Sequence, residues 1–139
     1  MFTNNHPLTL PPSKKLTLGL FGFGVVGKGL YDVLQSTPAL QATIKKICIK
    51  NADKKRAIPP QHFTTAAHEL LHDESINVIV ELIDDAKAAF EIVKKAAENG
   101  KHVVTANKKM LAEHLDEIYE LQQKYDRSIL YEGAVCGSI

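Results

Sequence analysis

Cysteine is scarce in this sequence, neither sign of charge dominates, and no apolar run is long. Cys48 and Cys136 both lie in apolar runs, and two thiols make neither a disulfide framework nor a zinc ribbon. Lys+Arg total 17 against 16 Asp+Glu, which leaves no basic excess to drive non-specific binding to nucleic acid. No apolar run approaches the roughly 20 residues of a membrane span. Residues 1–15 lack the charged-then-apolar order of a signal peptide and read as a flexible, polar, proline-bearing tail. What is present is ordinary for a globular chain. Apolar residues are 45% and charged residues 24% of 139, values that exclude a disordered or fibrous chain and suit one self-sufficient domain over 16–139. These features predict a cytoplasmic domain with no membrane and no nucleic-acid partner.

Apolar segments then alternate with helical spacing. Strands are predicted at 16–21, 44–50, 76–83, 101–105 and 128–131. Between them, Val26, Leu30, Val33 and Leu34 recur at helical spacing, and Thr65 is placed to cap a short helix through Leu70 and Leu71. Asp84-Asp85 supply a cap and negative charge for a helix with Ala86, Ala89, Phe90, Val93, Ala96 and Ala97 on one stripe, stopped by Asn99-Gly100. Asn107 is placed to cap a helix bearing Leu111, Leu115, Ile118 and Leu121, and Pro59-Pro60 bar a helix at that point. This order predicts an α/β fold: a Rossmann-like doubly wound parallel sheet in three layers. Because the chain stops just after a strand and a glycine-containing turn, that sheet is expected to be truncated.

At the end of the first strand stands Gly22-Phe23-Gly24-Val25-Val26-Gly27. Alone, GxGxxG is weak; between an apolar strand and an amphipathic helix it predicts a dinucleotide site. Gly22 permits the tight turn, Gly24 lets the backbone approach a pyrophosphate, and Gly27 lets helix and strand pack closely. The amides opening the helix then face the phosphate oxygens. At the end of the second strand an acid would bind the ribose of NAD, whereas a cation accommodates the extra phosphate of NADP. This chain offers Lys50, with Lys54, Lys55 and Arg56 behind it, so NADP is favoured over NAD.

His68-Glu69-Leu70-Leu71-His72 matches the zinc-protease pattern HExxH. Its context is wrong. The helix is short, it lies in a crossover between strands, and no third ligand is placed, so both histidines are expected to face solvent.

Beyond the glycine turn, four blocks occur in order: Gly22 to Leu30 (GFGVVGKGL), Val80-Glu81-Leu82-Ile83, Val103-Val104-Thr105-Ala106-Asn107-Lys108, and Tyr131 to Ile139 (YEGAVCGSI). Together they closely resemble homoserine dehydrogenase, from about Leu16 to the last residue. Other Rossmann oxidoreductases, such as aspartate dehydrogenase, would not be expected to carry the Thr-Ala-Asn-Lys block, and a non-catalytic nucleotide-sensing module is the alternative from another class. The resemblance implies an enzyme that interconverts L-aspartate 4-semialdehyde and L-homoserine with NADPH or NADH, on the path to threonine, isoleucine and methionine. It also implies that this chain is the amino-terminal cofactor domain of a homodimer, inactive without the substrate region.

By the same resemblance Lys108 sits beside nicotinamide and substrate, where an ammonium stabilises a forming alkoxide. Cofactor contacts are implied for Gly22, Phe23, Gly24, Val25, Val26, Gly27, Lys50, the backbone at Ile83, Thr105, Asn107 and Lys108. Glu132, with the carbonyls of Val135, Gly137 and Ile139, matches a site for a monovalent cation (Na+ or K+) in the complete enzyme. The chain departs from the resemblance at Asp84-Asp85, where paired glycines are commoner. Those two residues are read as helix caps.

Overall fold

The computed structural model describes residues 15–50 and 58–131. Within them lie β1 (Leu16–Phe21), α1 (Val25–Ser36), β2 (Ala42–Cys48), β3 (Phe63–Thr64), α2 (His68–Leu71), β4 (Val78–Glu81), α3 (Ala86–Glu98), β5 (His102–Thr105), α4 (Lys108–Glu113), α5 (Leu115–Tyr125) and β6 (Ile129–Tyr131). The strands form one sheet in the order β3-β2-β1-β4-β5-β6, and every pairing is parallel. This is the doubly wound dinucleotide-binding order, whose direction reverses between β1 and β4.

Alternation along each strand divides the core between the two faces of the sheet. Leu18 and Leu20 of β1, Ile47 of β2, and Val78 and Val80 of β4 pack on the side of α1, against Leu30, Tyr31 and Leu34. Phe21, Ile79 and Val103 point the other way, into a layer with Leu70 of α2, Phe90 and Val93 of α3, Met110 of α4 and Ile118 of α5. Gly19 in mid-β1 has a packing reason: a Cβ there would lie 3.0 Å from Leu70 Cδ2 and 3.2 Å from Ile79 Cδ1.

Several local expectations need correction. The second strand is Ala42–Cys48 and not 44–50, because a 3-10 turn at Pro38–Leu40 closes through Gln41 at φ 53° and the chain enters the sheet at once. The strand expected over 76–83 keeps only Val78–Glu81. The two-residue β3 carries no alternation that could announce it, and its pairing is Ile47 with Phe63 and Cys48 with Thr64. Pro59-Pro60 exclude an α-helix but not a 3-10 turn, which runs over Pro60–His62. Thr65 does not cap α2; the hydroxyl of Thr64 instead accepts the Ala66 amide, 3.0 Å away. The helix expected from Asn107 through Leu121 is two helices, broken at His114, whose ring stacks on Phe90 with centroids 3.9 Å apart. That break leaves Leu115 exposed rather than buried. The caps at Asp85 and Asn107 form as expected, and Gly100 ends α3 with φ +78°.

Candidate functional site: a cleft at the sheet's switch point

The carboxyl ends of β1 and β4 part at the point where strand order reverses, and a cleft of about 1020 Å³ opens there. All six residues of the glycine turn, Gly22 to Gly27, line it, together with Lys50 and Ile83. Gly22 stands at φ +97°, and a Cβ on it would lie 3.1 Å from the Leu82 carbonyl oxygen. Its amide donates to the Cys48 carbonyl at 2.9 Å, tying the turn to the end of β2. A Cβ on Gly24 would meet nothing within 4 Å, so the backbone there is open to the cleft. A Cβ on Gly27 would meet Phe23 Cδ1 at 3.0 Å, so this glycine serves packing.

Helix α1 begins at this opening with Gly24 as its N-cap, no side-chain cap and no acid in its first turn. The amides of Val25, Val26 and Gly27 therefore have no intrahelical acceptor and face a space that admits an anion. Helix α3 begins on the opposite wall but is already occupied. Asp85 accepts the Lys87 and Ala88 amides at 2.9 and 3.1 Å. Those amides, Ala88 first, hold its carboxyl below the usual carboxylate range, with smaller help from the charges of Lys50 and Lys87. Lys50 is exposed on the rim just past β2, and no acid stands at that strand end among the described residues.

Thr105, Asn107 and Lys108 are not in the wall of this cleft. They lie one strand over, at the end of β5 and the start of α4. Lys108 is exposed as the first residue of α4. Thr105 is fully buried and Asn107 nearly so. The Asn107 side chain accepts the Met110 amide at 2.8 Å and donates to the carbonyls of Ile83 at 3.1 Å and Asp84 at 3.4 Å. This second cluster thus supports the cleft wall from behind. Glu132, Val135, Gly137 and Ile139 lie outside the described residues, as does Cys136.

Residue reasoning passed over Glu81, which ends β4 with no exposed surface. A carboxylate inside the otherwise apolar run Val78 to Ile83 was the available signal. Burial pushes its carboxyl up from the ordinary range, against the opposing pull of the Thr105 hydroxyl and the Ile83 amide. The HExxH segment gains no third ligand among the described residues. His68 and His72 are exposed, Glu69 lies 3.9 Å from Lys46, and no group of three metal-ligating side chains occurs among the described residues. Nor is any described helix long and apolar enough to cross a membrane.

Comparison with known proteins agrees with this geometry. Residues 22–132 match the family described as homoserine dehydrogenase, NAD-binding domain. A homoserine dehydrogenase of Neisseria gonorrhoeae is 38% identical over 91% of the chain, and the matched region is 31% of that protein. The crystal structure of a homoserine dehydrogenase from Thiobacillus denitrificans superposes with a TM-score of 0.79 at 32% identity, over 87% of this chain and 30% of that one. A hyperthermophilic archaeal homoserine dehydrogenase in complex with NADPH shares the fold, with a TM-score of 0.70 at 20% identity over 87% of this chain and 44% of that one. The chain spans about a third of the length of the curated relatives it matches.

Proposed function

The chain belongs to the homoserine dehydrogenase family, matching its NAD-binding domain, and from that premise we propose that it binds NADP as the cofactor-binding part of an enzyme interconverting L-aspartate 4-semialdehyde and L-homoserine. The observation that carries the reading is the uncapped start of α1, open at Gly24 onto the cleft, with Lys50 on the rim where a ribose-binding acid would otherwise stand. The relative solved with NADPH is consistent with that choice of cofactor.

In this reading the amides of Val25, Val26 and Gly27 hold the pyrophosphate, and Gly24 admits it to within hydrogen-bond reach. Gly22 and Phe23 shape the turn. Lys50 pairs with the 2′-phosphate, and the backbone at Ile83 walls the nicotinamide side. Thr105 and Asn107 fix that wall from behind. When bound, the nicotinamide supplies the hydride; Lys108 holds its ammonium near the carbonyl oxygen and stabilises the negative charge that develops there. Residues 16–139 form one cofactor domain and 1–15 a tail. For the complete enzyme the reading carries a cytoplasmic homodimer and a monovalent cation at Glu132, Val135, Gly137 and Ile139, all of which rest on the resemblance. The chain alone is expected to bind cofactor without turning over substrate.

Calorimetric titration of the chain with NADPH and NADH in parallel tests this, repeated for Lys50→Glu. NADPH should bind more tightly, and the substitution should weaken it about tenfold while leaving NADH nearly unchanged. Equal affinity for both cofactors would overturn the choice of NADP. A folded sample that binds neither would overturn the cofactor site.

A further inference from the structure

Glu81 is an expensive residue to keep where it is. It is fully buried at the end of β4, on the same sheet face as Ile79, and it pairs in register with Thr105 of β5. A carboxyl group buried without partners is strongly disfavoured, so its bonds must account for it. They do so by joining two loops. One oxygen, Oε2, accepts the Ile83 amide at 2.7 Å, and the other, Oε1, accepts the Thr105 hydroxyl at 2.5 Å. That hydroxyl in turn accepts the Asn107 amide at 3.1 Å. The Asn107 side chain then donates back to the Ile83 carbonyl at 3.1 Å, which closes a ring of bonds through residues 81, 83, 105 and 107. A carboxylate accepts the N–H from one loop and the O–H from the other together. Glutamine would have to reverse the bond to the hydroxyl, donating its own N–H to Thr105 Oγ1, and would lose the charge that strengthens both bonds. The Ile83 side of the ring is cleft wall, and the Asn107 side caps the helix whose first residue is Lys108.

We propose that Glu81 is a positioning residue: its carboxylate clamps the loop after β4 to the loop after β5, and so sets Lys108 against the nicotinamide end of the cleft. This rests on the reading that the cleft takes a nicotinamide dinucleotide. Glu81 touches no ligand itself. The adenine half of the cofactor, held by the glycine turn and Lys50, lies outside the clamp.

The test uses the full 139-residue chain, its Glu81→Gln form, and a Thr105→Val and Thr105→Ser pair that removes and then restores the hydroxyl. Each is titrated with NADPH and with adenosine 2′,5′-bisphosphate, which keeps the adenine half and lacks nicotinamide. Hydrogen exchange is followed at the Ile83 and Asn107 amides. Thr105→Val should weaken NADPH about tenfold and speed exchange at both amides, and Glu81→Gln should do the same to a smaller extent, about threefold. The bisphosphate should bind all forms within about twofold, and Thr105→Ser should restore NADPH affinity. Parallel loss of both nucleotides would overturn the division into two halves and reduce Glu81 to a general structural role. Unchanged exchange at Ile83 and Asn107 would overturn the clamp. Failure of the unaltered chain to bind either nucleotide would instead sink the cofactor reading, and with it the link to nicotinamide. The Thr105 pair decides the matter if Glu81→Gln does not fold.

Discussion

Two helices begin at the same cleft, and their first turns are opposites. Helix α1 starts at Gly24 with no side-chain cap, whereas α3 starts at Asp85, whose carboxylate already occupies two of its amides. They are 12 and 13 residues long, so their dipoles are comparable. What differs is who supplies the negative charge. At α3 the chain supplies it, and the helix start is closed. At α1 the chain withholds it, leaving the amides for a ligand. A helix N-terminus is therefore a binding site only where the sequence declines to cap it, and the choice of a glycine over an aspartate makes that decision.

The strongest way to break this contrast is to give α1 the start that α3 has. Gly24→Asp has room for its side chain, since a Cβ would meet nothing within 4 Å and φ is −102°, and it needs only that ψ, now −146°, relax toward the extended value of a capping aspartate. The new carboxylate would cap α1, holding or slightly raising the melting temperature. It would also place a negative charge where the pyrophosphate belongs, and NADPH affinity should fall by about 100-fold or more. Calorimetric titration beside a thermal melt reads both quantities. Retained affinity would mean that the ligand does not use this helix start.

The converse change, Asp85→Ala, should cost stability without weakening the phosphate site. Losing the cap should lower the melting temperature by a few degrees, and losing a negative charge from the cleft wall should tighten NADPH about threefold or more at low salt. The sign with pH follows from the depressed carboxyl. A group whose pKa is lower in the folded state contributes stability above its unfolded value, and that contribution is lost as pH falls through the folded one. The unaltered chain and Asp85→Ala should therefore differ at neutral pH and converge below about pH 4, as melting curves across that range would show. A constant gap at all pH values would contradict an ionised cap.

This contrast was partly legible in the sequence, for reasons that differ by residue. Gly22 and Gly24 announced the open start because their spacing sits between an apolar strand and a helix. Asp85 and Asn107 announced closed ones because short oxygen-bearing side chains before a helical stripe have few other uses. β1 was legible to the residue, since a run of six apolar-spaced residues ends at a glycine that must take positive φ. β3 was not, because two residues have no period and exist as a strand only through their pairing with β2. The break at His114 was hidden for a similar reason: the spacing of Leu111, Leu115 and Ile118 continues through it, while the stacking on Phe90 is tertiary. Glu81 was visible as an anomaly in an apolar run, but its partner Thr105 comes from a strand 24 residues away and could not be read from the chain.

The smallest expected effect sharpens the contrast most finely. Asp84 lies in the cleft wall beside Asp85, exposed, and its carboxylate takes no part in the cap. Its influence on an anion in the cleft is then purely that of a charge at a distance. Asp84→Asn keeps the shape and removes the charge, so NADPH should bind about threefold more tightly at low salt. The gain should vanish near about 0.5 M salt, where the screening length is only a few ångströms. Titrations at the two salt concentrations separate this from a steric effect, which salt would not touch. A gain that survived high salt would place the ligand in direct contact with the start of α3, and the two helix starts would then share the anion rather than divide the work.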